Sequence, residues 1–387
     1  MLTNPQREHF GLRPIEAGWE PVSLKDLVLY YDGDVIRKVI CYEHGKQFGY
    51  SEFDYDLRTE SRARLMPTTP RGKPKPLTPS NILAHKRLGF SFVCRFGWEG
   101  KSFAFRHLYV THNPTCEQLV ALDSHEITSY ELLAAWVEDF VRYCPPNHLQ
   151  RIDELLGKKP VRVRYKPGDA FEIRFDGGDV GYGRILLDIF RLRRAGLFER
   201  VPHCGLGGSI LGSGLLVVLY RYAGPPVGTD QIAALPTLGT LMMMHDDIYR
   251  GRFPITGHTP VSETELDFPE GVINWYPGDG TGGKYYFDKG GMEADLQMTS
   301  DEYERVPKVG CTFGLVPAWV RDAIHGDSEA LGRLLGDLRF SEQRPGILHR
   351  CGLDCTMSYS EMVAAKGGIS PYELLRTTAE IYSGRMK

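Results

Sequence analysis

The stretch MMMHDDIYRGRF, residues 242–253, sets His245 beside two carboxylates, Asp246 and Asp247, the residue types that hold a metal ion or move a proton. Neighbouring side chains on a strand point to opposite faces, so on a strand the three do not converge. On a turn they can, and there an aspartate also serves as an ordinary turn or cap residue. Met242 to Met244 read as core packing. A second candidate, GLGGSILGSG at 205–214, lacks the Gly-Lys-Ser/Thr of a Walker loop. It carries Ile210 where a dinucleotide fingerprint needs its third glycine, and Leu211 where a nucleophile elbow at Ser209 needs glycine. It reads as a loop before a buried strand. Cys351 and Cys355 stand close, but no second pair follows to complete four zinc ligands, and the eight cysteines read as reduced thiols. Serines, histidines and aspartates elsewhere show no spacing that selects a triad. No catalytic residue, metal or cofactor is expected.

Arg58, Arg62, Arg64, Arg71, Lys73 and Lys75 form a basic stretch with Glu60 as its counter-charge, which suits a phosphate-bearing partner. No aromatic residues interleave to stack on bases, and the chain's net charge is −3, not the positive excess of a nucleic-acid binder. The stretch therefore reads as a solvated loop, and neither nucleic acid nor a membrane is expected as a partner. The longest apolar run, GLGGSILGSGLLVVLY, is shorter than a spanning helix and rich in Gly and Ser. The opening MLTNPQREHF has no apolar signal core. A soluble, cytoplasmic protein is expected.

These residues need elements to position them. A chain of 387 residues, 42% hydrophobic and 25% charged, is globular and long enough for two or three domains. DLVLYYDGDVIRKVICYE (26–43) predicts a hairpin turning at Asp32-Gly33, and GFSFVCRFGWEGKSFAFRHLYVTH (89–112) a second about Gly97 to Gly100. Between them, 57–81 holds five prolines and predicts a long exposed loop. Thr128 and Glu131, in capping-box spacing, open a helix whose Tyr130, Leu133, Val137, Phe140 and Cys144 share a face, and Pro145-Pro146 ends it. RIDELLGKKPVRV (151–163) passes from helix to strand.

KPGDAFEIRFDGGDVGYGRIL (166–186) predicts a hairpin whose Phe171, Ile173 and Phe175 are buried, with Gly181 and Gly183 baring one face of the second strand for a close approach or a bend. Further strands are expected over 212–222, 249–257 and 271–291. Helices are expected over 316–340 and over 370–382, the latter opened by Ser370, Pro371 and Glu373. The fold class is α+β: an N-terminal module at 1–158, a β-rich, mostly antiparallel domain at 159–295 and a helical part at 296–387.

As a set, KPGDAFEIRF with GYGRIL, then HDDIYRGRFPITGHTPV, then Trp275, Tyr276, Tyr285 and Phe287 resemble the immunity protein 26 family of bacterial polymorphic-toxin systems, over about 163–290. The N-terminal REHFGLRPIEAGW, YYDGDVIRKVI and RLMPTTPRGKPKPLTPSN look like a module associated with immunity genes beside Rhs-type toxins. The resemblance implies a β-rich domain, without catalytic residues, that neutralises a cognate toxin by binding it. Such an antitoxin pairs 1:1 with a toxin domain, an ADP-ribosyltransferase or a nuclease. Asp176, Asp179, Asp246 and Asp247 are the acids expected to meet a basic toxin cleft, and Trp275, Tyr276, Asp279 and Tyr285 complete the expected contacts. Two other readings stand beside it. One is an immunity enzyme, a hydrolase reversing the toxin's modification through His245, Asp246 and Asp247; the other is a nucleic-acid-binding module using 58–75.

Overall fold

The computed structural model describes residues 2–43, 48–99, 103–122, 127, 129–175, 178–205, 213–275, 283–308, 311–312 and 314–384. The chain divides into two compact units, Met1–Val161 and Arg162–Lys387.

The first unit is built on antiparallel strands that neighbour one another in chain order: β1 (Glu20–Leu24), β2 (Leu27–Asp32), β3 (Val35–Glu43) and β4 (Phe48–Glu60). The two-residue β5 (Arg64–Leu65) attaches to the end of β4 and β6 (Lys75–Pro76) to β5, and β7 (Leu88–Glu99), β8 (Phe103–His112) and β9 (Glu117–Leu122) complete the sheet. Gly33, at φ 58°, makes the tight turn between β2 and β3. Alternation sends Ile40, Tyr50, Phe92, Cys94 and Val110 into one core with Leu133, Val137 and Ile152 of helices Tyr130–Tyr143 and His148–Gly157. Leu29, Val39, Phe53 and Val93 face the other side and pack with Leu65 and Ile82. Lys38, fully buried, is held by Asp54 at 2.6 Å and Glu52 at 3.5 Å, and Glu52 takes two hydrogen bonds from the Arg7 guanidinium. Two carboxylates against two cations leave no buried charge unpaired, the condition under which such burial is tolerated.

Three expectations for this unit shift. The 57–81 stretch is not one exposed loop: β4 runs on to Glu60, and Leu65 and Ile82 anchor it in the core. The helix is capped by Ser129, which accepts the Leu132 N–H, and Thr128 lies outside the described residues. The second hairpin keeps strand pairing through Gly97 and Trp98 to Glu99, opposite Phe103, so Gly97 to Glu99 are strand and not turn, and 100–102 lie outside the described residues.

The second unit holds β10 (Asp169–Arg174), β11 (Val180–Asp188), β12 (Gly214–Tyr220), β13 (Thr237–Met244), β14 (Ile255–His258), β15 (Glu270–Trp275), β16 (Lys284–Lys289), β17 (Met292–Leu296) and β18 (Cys311–Thr312). Six form a sheet in the order β14-β10-β11-β12-β13-β18, antiparallel except for β13 with β18. The antiparallel β15, β16 and β17 form a second sheet. Every residue of β11 and β12 is buried, because both faces of the larger sheet are covered. On one face Phe171, Val217 and Met243 pack with Val320, Ala323, Ala330 and Leu335 of helices Pro317–Ile324 and Ser328–Leu335. On the other, Leu216 and Met242 share a core with Phe287 of the smaller sheet and with Ile347, Met362 and Leu374 of helices Arg344–Arg350, Tyr359–Lys366 and Pro371–Tyr382.

The β10–β11 pair explains its glycines. Gly183 lies opposite Phe171, and a Cβ there would stand 2.3 Å from the Phe171 ring; at Gly181 it would stand 2.7 Å from the Phe175 ring. The bare face of β11 is filled by rings from across the pair.

Elsewhere, 158–163 forms no strand after helix His148–Gly157, and Val163 only donates its N–H to the Tyr249 carbonyl. The strand expected at 249–257 shrinks to β14, preceded by helix Asp246–Tyr249. Residues 316–340 break into two helices and a short turn, with Gly326 at φ 96° and Asp327 capping the second helix. The helical C-terminal part also contributes β18 to the main sheet. Within β16, Asp288 is fully enclosed: its Oδ1 accepts the Gly205 N–H at 2.9 Å, and its Oδ2 has no partner among the described residues.

Candidate functional site

Strand ends and one helix end of the second unit enclose a cleft of about 730 Å³, within the size range of small-molecule and peptide-side-chain sites. β11 delivers Asp188 to its floor. As the cap of helix Ile189–Arg194, Asp188 accepts the Arg191 N–H through Oδ1, while Oδ2 accepts the Tyr382 hydroxyl at 2.9 Å and lies 3.4 Å from Arg191 Nε. Tyr382 arrives as the last residue of the final helix, and Arg191 lies over its ring at 4.9 Å.

His245, just past β13, forms the opposite wall. Its backbone N–H bonds the Ser213 carbonyl, its ring stacks on Tyr249 at 4.9 Å, and its Nδ1 shares a 2.8 Å hydrogen bond with the Tyr165 hydroxyl. Asp169 sits at the mouth, already committed to the Lys166 N–H at 2.9 Å and to His258 at 2.8 Å.

The electrostatics follow from burial. Burial lowers the His245 pKa despite the opposing pull of Asp246 and Asp188, so the imidazole is neutral at pH 7. Burial, reinforced by Asp188, raises the Tyr165 and Tyr382 hydroxyls, so both stay protonated. His245, Tyr165 and Tyr382 thus stand in the cleft as neutral hydrogen-bonding groups, beside the Arg164, Lys166, Asp188 and Arg191 side chains that also line it. Ser213 lines it, but its hydroxyl bonds no histidine among the described residues, so the nucleophile-to-base contact of a serine hydrolase is not formed.

The three residues of the hydrolase reading part company here. His245 faces the cleft, Asp246 pairs with Arg250 at 3.2 Å, and Asp247 turns inward. Asp247 is 2% exposed and is held by Arg252 at 2.9 Å and by the Leu315 N–H at 2.9 Å. It belongs to the core, where it ties helix Asp246–Tyr249 to the chain before Pro317, and cannot touch a partner. No group of three or more His, Cys, Asp and Glu side chains among the described residues is placed to hold a metal ion.

Of the other expected contacts, Asp176, Tyr276 and Asp279 lie outside the described residues. Asp179 is exposed at the turn of the β10–β11 hairpin, where its carbonyl accepts the Phe175 N–H. Trp275 and Tyr285 separate. Trp275 pairs with Lys284 at the end of β15, which puts Tyr285 on the opposite face, packed on the core and against Tyr303 at 5.2 Å. Trp275 is 41% exposed and stands edge-on to His203, whose own ring stacks on Tyr286 at 4.4 Å. In the basic stretch, Arg62 is already paired with Glu20 and lies over the Tyr31 ring.

Sequence reasoning did not find Tyr165, Asp188, Arg191 or Tyr382. They come from three separated places in the chain, and the one local signal is that RVRYK (162–166) and FRLRR (190–194) both mix rings with cations.

Residues 166–273 match the model of a protein family, immunity protein 26. The match runs from just before β10 to within β15 and takes in most of the cleft wall, while Val163, Arg164, Tyr165 and Tyr382 fall outside it. It bears out the resemblance read from the sequence, and it supports a role as an immunity protein of a toxin system, with a cognate toxin as partner. Comparison with curated proteins and with solved structures gives no match. No described helix is long and apolar enough to cross a membrane.

Proposed function

We propose that this chain is a cytoplasmic immunity protein that binds a cognate polymorphic toxin domain 1:1 and covers its active site or substrate surface, without chemistry of its own. The observation that carries the reading is the match of residues 166–273 to immunity protein 26. Asp179, exposed on a hairpin turn, and Trp275, held upright by His203 over Tyr286, supply contacts of the kind such an interface needs. A rigid, partly exposed tryptophan brings large contact area at little entropic cost and is a common energetic centre of interfaces. The core position of Asp247 and the outward pairing of Asp246 count against a hydrolase built on His245, Asp246 and Asp247.

The test is co-expression with the protein encoded immediately upstream. A stoichiometric complex by size-exclusion chromatography and rescue of growth are expected. Trp275→Ala should weaken the complex by about 2 kcal/mol, roughly thirtyfold, with thermal melting unchanged. Failure to form any complex overturns the reading.

A further inference from the structure

The cleft between Tyr165, Asp188, His245 and Tyr382 has features that a toxin contact does not require. Its walls carry aromatic rings: Phe190, Tyr249 stacked on His245, and Tyr382 beneath Arg191. Its acids are spent internally, Asp188 on Tyr382 and Arg191, and Asp169 on the Lys166 N–H and His258. Arg191 is likewise committed, to Asp188 and to the Tyr382 ring.

Arg164 and Lys166 also line the cleft, are exposed, and form ion pairs with no carboxylate among the described residues. With His245 neutral, two positive charges are left over at the mouth of a ring-lined cleft of about 730 Å³. An apolar occupant leaves both unanswered, and a single carboxylate answers one. A phosphate monoester carries about −1.5 to −2 at pH 7 and matches both. The Arg fork suits phosphate oxygens and Lys adds a point charge, while aromatic faces accept a planar ring in stacked or edge geometry.

We propose that this cleft binds a nucleoside phosphate, its base among Phe190, Tyr249 and Tyr382 and its phosphate at Arg164 and Lys166. The site is separate from the toxin-binding reading and stands or falls without it.

The test is isothermal titration calorimetry of the full chain at low salt with AMP, ADP, adenosine and inorganic phosphate. AMP and ADP should bind saturably, with adenosine and phosphate each at least about tenfold weaker than AMP, because each keeps one half of the recognition. The variant carrying Arg164→Ala and Lys166→Ala touches only exposed, unpaired side chains, so it should melt like the parent. It should lose about tenfold in AMP affinity for each cation removed.

Competition with a 5′-phosphorylated oligonucleotide distinguishes the sources of the ligand: displacement of AMP assigns the site to nucleic-acid ends, and no displacement assigns it to free nucleotides. Absence of saturable AMP and ADP binding overturns the proposal. So does AMP affinity indifferent to the double variant, or phosphate binding as tight as AMP.

Discussion

Asp288 makes the stability of the second unit depend on pH in an unusual direction. It is wholly enclosed in β16, and burial pushes its pKa from 3.8 up to about 7, against the opposing hydrogen bonds from the Gly205 N–H and the Cys204 thiol. Between about pH 4 and pH 7 the unfolded chain has released this proton while the folded chain still holds it, so each step up in pH favours unfolding. At about 1.4 kcal/mol per pH unit, the interval amounts to a loss of about 4 kcal/mol, complete above pH 7.

Asp288→Asn keeps an oxygen for the Gly205 N–H and is neutral at every pH. Urea unfolding of parent and variant, followed at pH values from about 5 to about 8, isolates this group, since other titrations cancel in the difference. The variant should gain on the parent steadily as pH rises and should be more stable by up to about 4 kcal/mol above pH 7. A difference that stays constant across this range would falsify the assignment of a buried, protonated carboxyl at Asp288.

Two further outcomes test the architecture. Asp247→Ala leaves Arg252 and the Leu315 N–H without their buried partner, and should cost about 3–5 kcal/mol, read as a lower urea midpoint. Gly183→Ala drives a methyl group into the Phe171 ring and should cost about 1–3 kcal/mol, with a loss of thermal stability, while Gly33→Asn, at a turn position open around its Cα, should be nearly neutral in the same melt.

What was legible in the sequence was what local physics determines. Asp32-Gly33 marked a turn because φ is positive there, Gly181 and Gly183 marked a close approach because rings fill their place, and Ser370 marked a helix start. Helix Asp246–Tyr249 was missed because four residues are too few to show a period, and the strand expected at the end of 151–163 does not form, Val163 donating its N–H to the Tyr249 carbonyl without joining a sheet. The Glu373 side chain, read as a capping-box partner, pairs instead with Arg200, far along the chain, which no local pattern indicates. The cleft was invisible for the same reason: Asp188 means nothing until the last helix brings Tyr382 to it.

The C-terminal helices have a consequence for where this protein begins and ends as a folding object. The segment that matches immunity protein 26 stops at residue 273, yet Leu216 and Met242 within it are sheltered by Ile347, Met362 and Leu374, and Met243 by Leu335. Excised at 166–273, that segment would lose part of the apolar cover on both faces of its central sheet and leave the sheet edge at β13 unpaired. The family match and the compact unit therefore have different borders here: the match spans about a hundred residues, whereas the unit that packs around them spans 162–387.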